Sequence, residues 1–124
     1  MKILIVDDAR AVHAFIREAL LGYACELDQA FNGKEALVCL KTNPDYTIIL
    51  LDWEMPVLSG IETLREVRKQ GIQVPVIMVT SRGEASRIQE ALEAGANDYI
   101  IKPFTRDILI EKIQAISGEV NDHI

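Results

Sequence analysis

Acidic, hydroxyl and basic residues directly follow short apolar runs at four places in this chain. They are Asp7 and Asp8, then Asp52, then Thr80 and Ser81, and finally Lys102. Three carboxylates gathered at one place would repel each other unless a cation neutralised them. Hard oxygen ligands suit Mg²⁺, which commonly takes one or two carboxylates and a phosphate oxygen while keeping several waters. The pattern therefore predicts a divalent-cation site beside one lysine.

Each of these residues also has an ordinary structural explanation. Asp8 could cap the first helix, and Thr80 or Ser81 could cap the fourth. Asp52 could simply end a strand, and Lys102 could be a solvated charge. Their shared placement favours a functional site, because sites in open α/β sheets form at the carboxyl ends of the strands.

The apolar runs themselves predict strands. Continuous apolar runs suit strands that are buried on both faces, as in a parallel sheet. The runs are Ile3–Val6, Thr47–Leu51, Val74–Val79 and Tyr99–Ile101. The segment Cys25–Ala30 instead alternates apolar and polar residues, which predicts a half-exposed edge strand.

Apolar residues recur at helical spacing between these strands. The stripes are Val12, Ile16, Ala19 and Leu20; Ile61, Leu64 and Val67; Ala85, Ile88 and Leu92; and Leu109, Ile113 and Ile116. A shorter helix is expected over Gly33–Lys41, and Gly71, Gly95 and Gly118 are expected helix ends. The order βαβαβαβαβα with right-handed crossovers predicts an α/β three-layer sandwich around a parallel sheet. We expect a single domain over residues 1–124.

The composition narrows the class of function. A net charge of −6 over 124 residues argues against direct nucleic-acid binding, which rests on a basic face. No apolar stretch reaches the roughly 7 to 15 residues of a signal peptide or the about 20 of a membrane span, so we expect a cytoplasmic protein without membrane insertion.

The cysteines and histidines do not form a recognisable metal site. Cys25 and Cys39 lack CxxC spacing and are expected to be free thiols packed as small apolar groups. No His or Cys set matches a zinc site. We expect His13 and His123 to be surface residues.

Taken together, the motifs resemble the response-regulator receiver family. The matching residues are Asp7–Asp8, Asp52 followed by Met55–Pro56 and Gly60, Thr80–Ser81, and Lys102–Pro103–Phe104. The resemblance runs from Met1 to about Ile116. It implies a flavodoxin-like fold with a five-stranded sheet in the order 2-1-3-4-5. It also implies a cis peptide between Lys102 and Pro103.

The resemblance implies a phosphorylation chemistry. Asp52 would be the phosphoacceptor, taking a phosphoryl group from a phosphohistidine of a sensor histidine kinase or a phosphotransfer protein. Asp8, Asp52 and the backbone carbonyl of Glu54 would ligate Mg²⁺, for which Mn²⁺ could substitute, and Asp7 would act through a bound water. Such a protein catalyses its own phosphorylation and autodephosphorylation without being a conventional enzyme.

The resemblance also implies a switch. Thr80 and Lys102 would contact the phosphoryl oxygens, and the Thr80 hydroxyl would move toward them. Tyr99 on strand 5 would then turn inward and remodel the surface of helix 4, strand 5 and helix 5, which would control an unidentified partner protein. The sequence ends after helix 5, where an effector domain would attach, so we expect a chemotaxis-type or phosphorelay protein.

Three positions depart from the family pattern or vary within it. Ser59 stands where many members have an acidic residue, yet serine can cap the following helix. Glu54 and Arg82 flank the expected path of the hydrolytic water, so we predict that both tune the phosphoryl lifetime. We also predict a Glu54–Arg82 ion pair, which at a solvated surface stabilises by only about 0 to 1 kcal/mol.

Three alternatives remain at this point. A pseudo-receiver would have the same fold but act as an interaction module that is never phosphorylated. A phosphatase of the haloacid dehalogenase type would use Asp52 and Glu54, but such enzymes usually carry the nucleophile after their first strand and have longer chains. A flavodoxin-like FMN protein is disfavoured because no Gly- or hydroxyl-rich phosphate loop follows strand 1.

Overall fold

The computed structural model describes residues 1–118, which form alternating strands and helices. The strands are β1 (Lys2–Val6), β2 (Glu26–Ala30), β3 (Ile48–Asp52), β4 (Val76–Thr80) and β5 (Asp98–Ile101). The helices are α1 (Arg10–Ala19), α2 (Gly33–Thr42), α3 (Gly60–Lys69), α4 (Ala85–Glu93) and α5 (Arg106–Ser117). The predicted order of elements is confirmed, with bounds that shift by one or two residues.

The five strands form one parallel sheet in the order β2-β1-β3-β4-β5. The pairing of β3 with β4 places Asp52 beside Val79, and the pairing of β4 with β5 places Thr80 beside Ile101. The α/β sandwich and its strand order are confirmed. Because every strand is parallel, the residues that follow β1, β3, β4 and β5 emerge at the same edge of the sheet.

Helices cover both faces of the sheet. Alternate residues of a strand point to opposite faces, so Leu4 and Val6 pack on the side of α2, α3 and α4, whereas Ile3 and Ile5 pack on the side of α1 and α5. Both central strands β3 and β4 are buried along their whole length. Cys25 and Cys39 pack partly buried against the core, as expected.

Local capping explains where α3 and α5 begin. Ser59 accepts a hydrogen bond from the amide of Glu62, whose carboxylate accepts the amide of Ser59, which completes a capping box. Thr105 caps α5 through its hydroxyl, which accepts the amide of Ile108. On α4 the predicted stripe is partly wrong: Leu92 is exposed, and Ala91 is the buried residue of that helix.

Arg68 of α3 ties loops together at the end of the sheet opposite the acidic residues. Its guanidinium donates to the carbonyl oxygens of Gly95, Ile72 and Val74 at 2.8 to 3.1 Å, and to the side chain of Asn97. Five donors in a fixed planar arrangement allow one arginine to satisfy several carbonyls at once. Arg68 therefore joins the loop after α3 to the loop before β5.

None of the helices among residues 1–118 is both long and apolar enough to cross a bilayer.

Val57, in the loop after β3, is strained and exposed. Its φ is 69°, in the left-handed region, and its side chain is 92% exposed. That region costs an L-residue about 1–2 kcal/mol, whereas Asn visits it readily. We expect Val57→Asn to raise the free energy of unfolding by about 1 kcal/mol in urea denaturation. Val38→Asn, at an exposed position of α2, is the control and should change it little, because Val and Asn have similar helix propensity. Equal effects of the two substitutions would contradict the strain.

Candidate functional site

Three carboxylates meet at the carboxyl edge of the sheet. Asp52 is the last residue of β3, and Asp7 and Asp8 directly follow β1, its neighbour in the sheet. One ligand atom from each lies within 4.8 Å of the others. Asp7 and Asp52 are each 2% exposed, whereas Asp8 faces solvent. Oxygen donors at this spacing, with one face open to water, fit a hydrated Mg²⁺ ion.

Lys102 brings a positive charge into this acidic cluster. Its Nζ lies 2.9 Å from Oδ1 of Asp52 and 3.3 Å from Oδ2 of Asp7. Its backbone amide donates to the carbonyl of Thr80, and the cis peptide between Lys102 and Pro103 is present, as the resemblance implied. Burial disfavours the ammonium, but the hydrogen bond and charge of Asp52, together with Asp7, outweigh it and raise the pKa of Lys102. Lys102 therefore stays protonated.

The charged form of Asp52 is disfavoured despite its lysine partner. Burial raises the pKa of Asp52 to about 6, and the neighbouring Asp7 carboxylate acts in the same direction, while Lys102 opposes both. Removing a carboxylate from water disfavours its charged form, and one ammonium shared between two acids does not fully compensate. An added cation, or a group that brings a cation to the site, would favour the charged form of Asp52.

The capping explanations for the acidic and hydroxyl residues are wrong. The N-cap of α1 is Ala9, and the Asp7 carboxylate rather than Asp8 accepts its amide, at 2.8 Å. The N-cap of α4 is Glu84, several residues beyond Thr80 and Ser81. Asp8, Thr80 and Ser81 are therefore not required to start either helix.

Glu54 and Arg82 do not form the predicted ion pair. Arg82 instead pairs with Glu84, at 3.3 Å, and both side chains are more than half exposed. Glu54 pairs with Arg87 of α4, at 2.8 Å. Arg82 and Glu84 lie two residues apart, so this ion pair forms within one stretch of the chain. The sequence pattern did not identify Arg87 as a partner of Glu54. The available signal was its position in the first turn of α4, just after the Thr80–Ser81 loop.

The Glu54 carboxylate also accepts bonds from the end of β4. The Thr80 hydroxyl donates to Oε2 at 2.8 Å, and the Ser81 amide and hydroxyl donate to Oε1 at 3.1 and 3.3 Å. Burial disfavours the charge of Glu54, but these bonds and Arg87 outweigh it and lower the pKa of Glu54. The Thr80 hydroxyl also accepts the amide of Arg82 at 3.1 Å.

Tyr99 lies at the edge of the core, on the side of the sheet that α2, α3 and α4 cover. It is half-buried on β5, and the Nζ of Lys112 lies 4.9 Å from the centre of its ring. The same Nζ pairs with Asp98 at 2.9 Å. The inward turn of this ring on phosphorylation stays a prediction.

His13 is buried, which corrects the expectation of a surface residue. It is 2% exposed, its Nε2 is 2.8 Å from the carbonyl oxygen of Asp7, and its ring lies 4.4 Å from that of Phe31. His13 therefore supports the loop that carries Asp7 and Asp8, rather than binding a ligand itself. His123 lies outside the described residues.

Comparison with known proteins agrees with this geometry. The family model described as the response regulator receiver domain matches residues 3–114. The chain belongs to this family. The receiver domain is 38% identical to the chemotaxis protein CheY1 of Helicobacter pylori over 122 residues, covering 95% of this chain and 98% of that protein. It is 40% identical to the chemotaxis protein CheY of Pseudomonas aeruginosa over 125 residues, covering 98% and 99%.

Solved structures give the same result for the fold. The receiver domain of the Francisella response regulator 1452 superposes with a TM-score of 0.88 at 37% identity, covering 94% of this chain and 96% of that one. The chemotaxis protein CheY4 of Vibrio cholerae gives a TM-score of 0.86 at 29% identity, covering 93% and 97%. This receiver domain is a phosphorylation-activated signalling switch of a two-component system, which disfavours the phosphatase and pseudo-receiver alternatives.

Proposed function

We propose that Asp52 is the phosphoacceptor of this receiver domain. The observation that carries the proposal is the Lys102 ammonium placed between Asp52 and Asp7, beside the exposed Asp8. A carboxylate that attacks an anionic phosphoryl group must overcome repulsion, and fixed positive charge lowers that barrier. In the reaction, an Asp52 oxygen forms the new bond to phosphorus, the bond from phosphorus to the donor histidine nitrogen breaks, and the histidine leaves.

Each surrounding residue then has a defined part. Asp8, Asp52 and the backbone carbonyl of Glu54 would hold Mg²⁺, with Asp7 acting through a water. When bound, Mg²⁺ supplies charge neutralisation to the phosphoryl oxygens. Lys102 and Thr80 would contact the same oxygens, and movement of the Thr80 hydroxyl toward them would be transmitted to Tyr99. The added charge of about −1.5 to −2 is the signal to which these side chains respond.

Phosphorylation by a small-molecule donor tests this proposal. The protein is incubated with acetyl phosphate and Mg²⁺, and its intact mass is measured, followed by peptide mapping. We expect one phosphoryl group per chain, located on Asp52, and none when EDTA removes the metal. A chain that stays unlabelled would act as a pseudo-receiver, and steady turnover of the donor without a labelled chain would indicate a phosphatase.

The metal ligands should differ in importance. Asp8 is exposed and free to bind a cation directly, whereas Asp7 is buried and already accepts the Ala9 amide and the Lys102 ammonium. We expect Asp8→Ala to weaken Mg²⁺ binding more than Asp7→Ala does in isothermal titration calorimetry. Equal losses in the two variants would refute the assignment of Asp8 as the direct ligand.

Two kinds of partner are expected, one that supplies the phosphoryl group and one that responds to it. We propose that a sensor histidine kinase or a phosphotransfer protein supplies the phosphoryl group, and that a protein target binds the surface of α4, β5 and α5. An apolar groove of about 460 Å³ adjoins Lys102 and supports the approach of a donor protein to Asp52; its lining includes Val12, Phe15 and Phe104. The names of the relatives favour a chemotaxis role. We also propose that Glu54 and Arg82 tune the phosphoryl lifetime.

A further inference from the structure

Arg87 occupies a confined position at the switch end of β4. Its side chain is 19% exposed, its guanidinium carbon lies 4.0 Å from the centre of the Trp53 ring, and it pairs with Glu54 at 2.8 Å. Stacking on an aromatic face and pairing with a carboxylate both favour one orientation of a guanidinium. Arg87 therefore holds the Glu54 carboxylate in a defined place between β3 and α4.

The Glu54 carboxylate, which Arg87 holds in place, is hydrogen-bonded to the Thr80 hydroxyl, the group on which the switch depends. Oε2 of Glu54 receives both Arg87 and the Thr80 hydroxyl, at 2.8 Å each, while Oε1 receives the Ser81 amide. A hydroxyl has a single proton, so a Thr80 that donates to Glu54 cannot donate to a phosphoryl oxygen at the same time. The two hydrogen bonds of Thr80 are mutually exclusive.

We propose that Arg87 is a positioning residue that keeps the switch in its resting state. Clamped on Trp53, it fixes Glu54, and Glu54 holds the hydroxyl of Thr80 and the amide of Ser81 away from the phosphorylation site. Phosphorylation must break this set of contacts, here called the Glu54 latch, before Thr80 can contact the phosphoryl group. The inference rests on the proposed function, because it takes Thr80 as the phosphoryl-sensing residue.

The latch is built to open at moderate cost. The Nε of Arg87 is buried and has no hydrogen-bond partner within residues 1–118, so the resting arrangement leaves one donor unsatisfied. The Glu54 side chain is 36% exposed, so water can replace its partners when they leave. A two-state element responds to a ligand only through the difference in affinity between its states. An unsatisfied donor in the resting state lowers the cost of leaving that state.

The latch and simple electrostatics predict opposite results for one variant. Beryllofluoride with Mg²⁺ is an anionic mimic of the phosphoryl group. Removing a nearby cation should weaken its binding if only charge matters. If Arg87 holds the latch, Arg87→Ala should instead tighten binding, because less energy is spent on releasing Thr80. We expect a gain on the order of fivefold in the affinity measured by isothermal titration calorimetry.

Arg65→Ala is the matched control. It removes an equal charge from a side chain that pairs with Glu90 of α4 rather than with Glu54. We expect it to leave the affinity unchanged or slightly weaker. In a Thr80→Ala background the gain from Arg87→Ala should vanish, because no hydroxyl remains to be released. A gain that persists without Thr80 would overturn the latch, as would Arg87→Ala binding the mimic no more tightly than the parent.

Amide hydrogen exchange gives a second readout without any ligand. The Ser81 amide donates to Glu54, so Arg87→Ala should accelerate its exchange while core amides of β4 stay protected. Arg87→Lys, which keeps the charge but loses the planar guanidinium, should lie between parent and Ala. Unchanged exchange at Ser81 in both variants would refute the latch. A parent protein that fails to bind beryllofluoride at all would instead refute the proposed function.

Discussion

Asp52→Asn is expected to abolish phosphoryl incorporation and also to stabilise the metal-free protein at neutral pH. Asparagine has no nucleophilic carboxylate, so acetyl phosphate with Mg²⁺ should leave the variant unlabelled. Asp52 and Asp7 are both almost fully buried and share one ammonium, so removing one negative charge relieves repulsion as well as desolvation. Loss of activity and gain of stability in one substitution would mark Asp52 as a functional rather than a structural acid.

The stability gain should depend on pH in a defined direction. The pKa of Asp52 is raised in the folded state, from 3.8 to about 6. A shift of roughly two units corresponds to about 3 kcal/mol of lost stability once the carboxylate is ionised in both states. The parent therefore carries the full penalty above pH 6, and the penalty disappears as the pH falls below 4. We expect the Asn variant to melt roughly 5 to 10 °C higher at pH 7.5 and at a similar temperature near pH 3.5.

Thermal melts with and without Mg²⁺ complete this experiment. Mg²⁺ should stabilise the parent by binding only the folded state, and should stabilise Asp52→Asn less, because one ligand charge is gone. Asp45→Asn removes an exposed carboxylate and serves as the control, which should label and melt like the parent. Stoichiometric labelling of Asp52→Asn, or a lower melting temperature at pH 7.5, would refute the account of Asp52.

Gly60→Ala is expected to destabilise the fold by about 2–3 kcal/mol, since the new methyl group has no room. A Cβ on Gly60 would overlap the carbonyl oxygen of Asp52 and lie 2.7 Å from the Cα of Trp53. These are backbone atoms of the strand end that carries the proposed phosphoacceptor, so they cannot rotate away. Gly60 also donates its amide to the carbonyl of Trp53 at 2.9 Å, which holds the start of α3 against this strand.

Gly83→Ala is the control for this prediction. A Cβ there would meet only the side chain of Ile101, at 3.2 Å, and a side-chain end can move. Urea denaturation should therefore give a free energy of unfolding for Gly83→Ala close to that of the parent. The Gly60 variant should also phosphorylate more slowly, because its strain falls on Asp52. Equal free energies of unfolding for the two variants would show that the loop from Asp52 to Gly60 adjusts freely.

The order of elements and the place of the site were readable from sequence because both depend on local pattern. Continuous apolar runs predicted buried parallel strands, and parallel strands must end at one edge. Such runs are followed by Asp7, Asp52, Thr80 and Lys102. In the structure Asp7 and Asp52 lie close together, and Lys102 pairs with both. Ser59 was predicted as a cap from its residue type and position, and it is one.

The pairing of long charged side chains was decided only by the tertiary structure. From the sequence, either Arg82 or Arg87 could pair with Glu54. In the structure Arg87 pairs with Glu54, 33 positions away, whereas Arg82 pairs with Glu84. Periodicity likewise did not show that His13 is buried under the Asp7 loop, or that Ala91 rather than Leu92 faces the core. The rotation of each helix about its axis and the direction of each flexible side chain follow from packing between distant segments, which no local pattern encodes.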